Sequence, residues 1–249
     1  MIRSSRRDAL KCAAVAPLLL VATAIGPHAA AAGIEGMTVF LDPGHSGVSD
    51  ASINRQVTNG RGGTKPCNTS GTAAGDGYPE HAFTWAVADL VAINLRGMGV
   101  NVAMSRDNDD SVGPCIDARA ASANAAQPDA IVSVHADGGP ASGHGFHVNY
   151  SNPPLNDAQR GPALQLADAM RSALLAAGFP PANYIGSDGL NGRPDLAGLN
   201  LAEYPAVLVE LGNMKNAEDA ATMESVDGRA RYADALTQGI VANLQAKAG

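Results

Sequence analysis

Apolar residues recur along this chain with two different periods. Between residues 80 and 96 they fall three and four apart, at Phe83, Val87, Leu90, Val91 and Leu95, the spacing of a helix that buries one stripe. Pro79 suits the first turn of that helix, and Gly97 and Gly99 suit its end. Trp85, within it, reads as core. DARAASANAA (117–126) predicts a short Ala-rich helix. An amphipathic helix follows over about 157–177, closed by Gly178, with two more helices over 216–225 and 228–246. Strand-like runs lie between them: residues 37–41, VNVAMS (100–105), AIVSVH (130–135) and AVLVEL (206–211). AIVSVH and AVLVEL are apolar enough to be buried on both faces. In GFHVNYS, Phe146, Val148 and Tyr150 alternate with polar residues, which predicts a strand with one wet face.

Strands alternating with helices predict a single α/β domain whose mostly parallel or mixed central sheet is flanked by helices on both faces. The segment 46–78 interrupts the alternation. Twelve of its residues are Gly, Asn or Asp, so it reads as a long loop, of the kind that is functional or mobile in a compact domain. It is expected to rim a groove. The chain shows no internal repeat and no low-complexity linker.

Residues 1–32 read as an export signal rather than as fold. Arg3, Arg6, Arg7 and Lys11 precede the apolar run AAVAPLLLVATAIG, and AAAAG supplies small residues for cleavage. The paired arginines suit a twin-arginine signal as well as an ordinary secretion route. The expected destination is the periplasm, or the cell wall and extracellular space. About 217 residues remain, enough for one domain. The whole chain has 17 basic and 24 acidic residues; without residues 1–32 it has 13 and 23, a formal charge of −10. Such a surface repels nucleic acid, and no later segment has the roughly 20 apolar residues that a membrane span needs. A monomer is expected. Cys67 and Cys115 remain after export, and an exported pair favours a disulfide. Closing a loop of about 49 residues stabilises a fold by roughly 4 kcal/mol in the chain-entropy model.

Four residues stand out as candidates for metal chemistry: His45, Glu80, His135 and Glu210. His45 follows a strand in TVFLDPGHSG, Glu80 opens a helix in GYPEHAFTWAVADL, His135 ends AIVSVH, and Glu210 ends AVLVE. Ligands of open α/β sheets bind beyond the carboxyl ends of strands, where three of the four sit. Two imidazoles and one carboxylate make a catalytic zinc set with one position left for water. A further carboxylate then serves as proton carrier. A carboxylate ending an apolar strand is costly to bury without a partner, which marks Glu210. His81, His144 and His147 compete as ligands. His81 points about 100° around the helix from Glu80, and His147 faces away from Phe146 and Val148.

At these residues the sequence resembles the zinc-dependent N-acetylmuramoyl-L-alanine amidases that cut peptidoglycan. The matching segments are VFLDPGHSG, YPEH, MSRDND, DARAASANAAQPDAIVSVHADGG and VLVELGNMKN, in the expected order from about residue 37 to 216. The resemblance implies that His45, Glu80 and His135 bind zinc and that Glu210 is the catalytic carboxylate. It also implies that residues 33–249 form a stand-alone catalytic domain acting on peptidoglycan or muropeptide fragments. GNMKN departs from the aromatic-Leu-Ser/Thr-Asn run of many members, which bears on substrate subsites. Two alternatives stay open at this point: another zinc-dependent wall peptidase, and a non-catalytic wall-binding module on the same fold.

Overall fold

The computed structural model describes Met1 and residues 33–249. The export signal expected over residues 1–32 lies, Met1 apart, outside the described residues. Eight strands follow in chain order: β1 (Thr38–Pro43), β2 (Gln56–Thr58), β3 (Thr64–Pro66), β4 (Asn101–Met104), β5 (Ala130–Asp137), β6 (His147–Ser151), β7 (Leu190–Arg193) and β8 (Ala206–Asn213). The helices are α1 (Glu80–Gly97), α2 (Ile116–Ala125), α3 (Asp157–Arg160), α4 (Pro162–Ala176), α5 (Ala197–Leu201), α6 (Ala217–Glu224) and α7 (Val226–Ala248). The main sheet has the order β4-β1-β5-β8-β6-β7, and β2 pairs only with β3. Strands β4, β1, β5 and β8 run parallel; β6 runs antiparallel to β8, with β7 parallel to β6. The fold is thus the expected α/β domain with a mixed sheet.

Side-chain alternation gives the sheet two unlike faces. Val39, Leu41, Val132, Val134, Val148, Val207 and Val209 enter the main core. Helices α1 and α4 pack there against the sheet, and α7 packs against both of them. Each brings a stripe spaced by four: Phe83, Val87, Val91 and Leu95; Leu166, Met170 and Leu174; Tyr232, Leu236, Ile240 and Leu244, all buried. On the other face Phe40, Ile131 and Ala206 come first, covered by Ala123 of α2 and Leu199 of α5. Towards the carboxyl ends of the same strands that face turns polar, at Asp42, Ser133, His135 and Glu210. The site belongs to this second face.

The structure departs from the sequence expectations at four places. The helix expected over 157–177 breaks at Gly161, because Pro162 opens α4 and cannot donate an intrahelical hydrogen bond. Gly178, at φ +83°, ends it as expected. The polar face of GFHVNYS is not wet: His147, Asn149 and Ser151 are each at most 2 % exposed. Asn149 accepts from Asn191, and Ser151 bonds to Asn200 and Arg61. Trp85 is half-buried rather than core, with the Arg106 guanidinium 5.0 Å over its ring. The segment 46–78 holds the β2–β3 hairpin rather than loop alone. The expected Cys67–Cys115 disulfide is formed.

Candidate metal centre and active site

The turn after β1 carries His45 at φ +61°, a conformation few non-glycine residues adopt. Its ring lies edge-on to that of His135, centroids 4.9 Å apart. Glu80, the first residue of α1, reaches between them. Its Oε1 is 3.0 Å from His45 Nε2, 3.0 Å from His135 Nδ1, and accepts the Ala136 N–H at 3.1 Å. Its Oε2 accepts the Thr72 N–H at 2.9 Å. His45, Glu80 and His135 each offer one ligand atom, and these atoms lie within 4.8 Å of one another. Two glycines permit this closeness. A Cβ on Gly44 would sit 2.3–2.6 Å from the His135 ring, and one on Gly71 would sit 2.7 Å from Glu80 Oε2 and 2.9 Å from the His45 ring.

Hydrogen bonding fixes the imidazole of His45. The Thr69 carbonyl, 2.8 Å away, can only accept, so Nδ1 carries a proton and Nε2 is turned to Glu80. The contact between Nε2 and Oε1 is then held by a second proton or by a cation. Burial works against the His45 imidazolium, but the hydrogen bond and charge of Glu80 outweigh it and raise the pKa. Burial likewise works against ionised Glu80, yet the hydrogen bonds from His135 and His45 keep it well below the usual carboxylate range. The donor set fits a divalent metal of the zinc type: two nitrogens and one anionic oxygen, already converged and partly desolvated.

Glu210 completes the cluster from the sheet. The parallel ladder pairs it with His135, and the antiparallel ladder pairs it with His147 on the other side. Though the residue as a whole is only partly buried, its Oε2 is sealed from solvent and has no hydrogen-bond partner among the described residues. Burial and the charges of Glu80 and Asp137 push its carboxyl well above the ordinary range, with Arg193 acting in the opposite direction. His45, Glu80, His135 and Glu210 all line one cavity of about 290 Å³. Phe40, Ile131 and Leu199 line its apolar part, and Lys65, Asn68 and Thr69 of the 46–78 segment border it. That segment rims the groove as expected.

The three competing histidines lie outside the cluster. His81 bonds Asp109 at 2.8 Å. His144 is tied to Asn183 through its backbone. His147 stands beside Glu210 instead, 2 % exposed, with its Nδ1 unpartnered among the described residues and its pKa lowered to about 4 by burial. Sequence reasoning also passed over the residues that hold the site. Asp42 accepts from Arg119, Ser105 and Ser133, and Arg119 donates to the carbonyl of His45 at 2.6 Å. Burial opposes ionised Asp42, but Arg119 and Ser105 bring its pKa down to about 2. The adjacency of Asp42 to the PGH turn was the one available signal; nothing in the chain announces Arg119.

Residues 39–242 match the N-acetylmuramoyl-L-alanine amidase family. An N-acetylmuramoyl-L-alanine amidase of Mycobacterium tuberculosis is 60 % identical over 232 residues, 92 % of this chain and 96 % of the relative. The crystal structure of the amidase Ami1 from Mycobacterium smegmatis superposes with a TM-score of 0.85 at 61 % identity, covering 86 % of this chain and 99 % of that one. The apo form of Ami1 from Mycobacterium abscessus gives 0.84 at 62 % identity, covering 85 % and 100 %. Fold and relatives agree, and the chain belongs to the N-acetylmuramoyl-L-alanine amidase family.

Proposed function

We propose that this protein is an exported, zinc-dependent amidase that hydrolyses the amide between the lactyl group of N-acetylmuramic acid and the L-alanine of the stem peptide. The convergence of His45, Glu80 and His135 on one point beside Glu210 carries this reading. Zinc, when bound, polarises the scissile carbonyl and acidifies water. His45, Glu80 and His135 would hold it. Thr69 fixes which His45 nitrogen faces the centre.

Glu210 does the proton work. Its carboxylate takes a proton from the attacking water as the new C–O bond forms. The protonated carboxyl then gives that proton to the amine nitrogen of L-alanine as the C–N bond breaks. Water is consumed, and an acid and an amine are released.

Mass spectrometry of a muropeptide digest tests the reading. The expected product is an intact peptide beginning with L-alanine, and its formation stops when a chelator is added. Peptides cut within the stem would indicate a wall peptidase, and no product at all would indicate a binding module. Glu210→Ala is expected to retain metal and to lose more than about 99 % of activity, as removal of a general base does. Full activity in that variant would remove Glu210 from the role.

A further inference from the structure

His45 sits in a left-handed backbone conformation, so local preference does not hold it. Two contacts do. Its Nδ1–H donates to the Thr69 carbonyl at 2.8 Å, and its own carbonyl accepts from Arg119 Nη2 at 2.6 Å. Arg119 is buried and fully engaged: Nε donates to the Pro114 carbonyl, and Nη1 donates to the Asp42 carboxylate and the Pro43 carbonyl. It therefore gathers the end of β1 on both sides of Gly44.

Thr69 and Arg119 come from separate stretches of chain, and one covalent bond joins those stretches. Cys67 lies two residues before Thr69. Cys115 is the residue that caps α2, one helical turn before Arg119. The Ile116 N–H donates to the Cys67 carbonyl at 2.8 Å, and Arg55 Nη2 contacts Cys115 Sγ at 2.8 Å. The two sulfurs, Val57 and Ile116 form a small apolar cluster apart from the main core. The segment that supplies Thr69 is anchored there by the bridge and little other apolar packing.

We propose that Arg119 and the Cys67–Cys115 disulfide are positioning elements of the metal centre, the bridge holding Thr69 and Arg119 on either side of His45 and thereby setting metal affinity. This rests on the reading of His45 as a ligand. Partners that orient metal ligands typically contribute 10–100-fold in affinity.

The test is zinc affinity of the purified, metal-stripped protein, measured by competition with a chromophoric chelator. His45→Ala is expected to weaken zinc binding far more than any other variant; an unchanged affinity there would overturn the ligand assignment itself. With that established, the double variant Cys67→Ser/Cys115→Ser and the disulfide-intact Arg119→Lys are each expected to bind zinc about 10–100-fold more weakly while keeping the wild-type circular dichroism spectrum. Wild-type affinity in the folded double variant would overturn the role of the bridge. Should the double variant not fold, Arg119→Lys decides: wild-type affinity in it would overturn the proposal, and a loss would support it.

Discussion

Adding a single methyl group at Gly44 tests the packing of the proposed metal centre most directly. A Cβ built there meets three atoms of the His135 imidazole at 2.3, 2.5 and 2.6 Å, where ordinary contact begins at 3.4 Å. Something must move by about 1 Å. The backbone cannot easily yield, because the Gly44 N–H donates to Val134 at 2.9 Å and its carbonyl accepts from Thr84 at 2.8 Å. The imidazole therefore moves. Metal–ligand distances tolerate only about 0.2 Å, so a ring displaced by about 1 Å no longer ligates in place. Gly44→Ala is expected to lose on the order of 100-fold in kcat/KM on a muropeptide. The same variant should bind zinc more weakly in chelator competition and lose about 1–3 kcal/mol of stability by overpacking. Gly75→Ala is the control, since a Cβ there meets nothing within 4 Å. If Gly44→Ala kept wild-type turnover and zinc content, His135 would not be held where the structure puts it, and the ligand set would need another member.

Other outcomes follow from the buried charges. Glu80→Ala removes the oxygen on which both imidazoles converge; metal analysis of the purified variant should find less than one-tenth of the wild-type zinc content. Asp42→Asn leaves the Arg119 charge buried without its counter-ion, and urea unfolding should report a loss of about 3–5 kcal/mol; a loss under 1 kcal/mol would refute the pairing. His147 has a folded pKa of about 4 against 6.5 for the free imidazole. Its folded value is depressed, so the unfolded chain binds the extra proton. Its contribution is fully present above pH 6.5 and is lost as pH falls towards 4, about 3–4 kcal/mol in all. His147→Asn should flatten the fall in unfolding free energy between pH 7.5 and 4.5 by about three-quarters of that amount, and an unchanged slope would count against it.

The candidate site was legible in the sequence because the residues that converge there sit where apolar runs end. AIVSVH and AVLVE are strands whose last polar residues face one side, and the ladder that pairs His135 with Glu210 follows from aligning those two runs. Glu80 was legible as a lone carboxylate opening a helix behind Pro79. What could not be read was everything that depends on which polar face is covered. The alternation in GFHVNYS gave the correct strand and the wrong environment, because β7 and α5, which bring Asn191 and Asn200 onto that face, are short, weakly patterned segments. Arg119 was hidden for a different reason. On a ten-residue Ala-rich helix an arginine reads as a solvent-facing charge, and only the tertiary meeting of α2 with the end of β1 turns it into the group that holds the His45 carbonyl. The periodic apolar signal therefore locates the candidate site residues at strand ends. The polar residues that aim those atoms are fixed by contacts 24 to 77 residues apart in sequence, which leave no local pattern. Substitutions at Arg119 or Asp42 should accordingly disturb the proposed centre, although neither residue is one of the three that offer it a ligand atom.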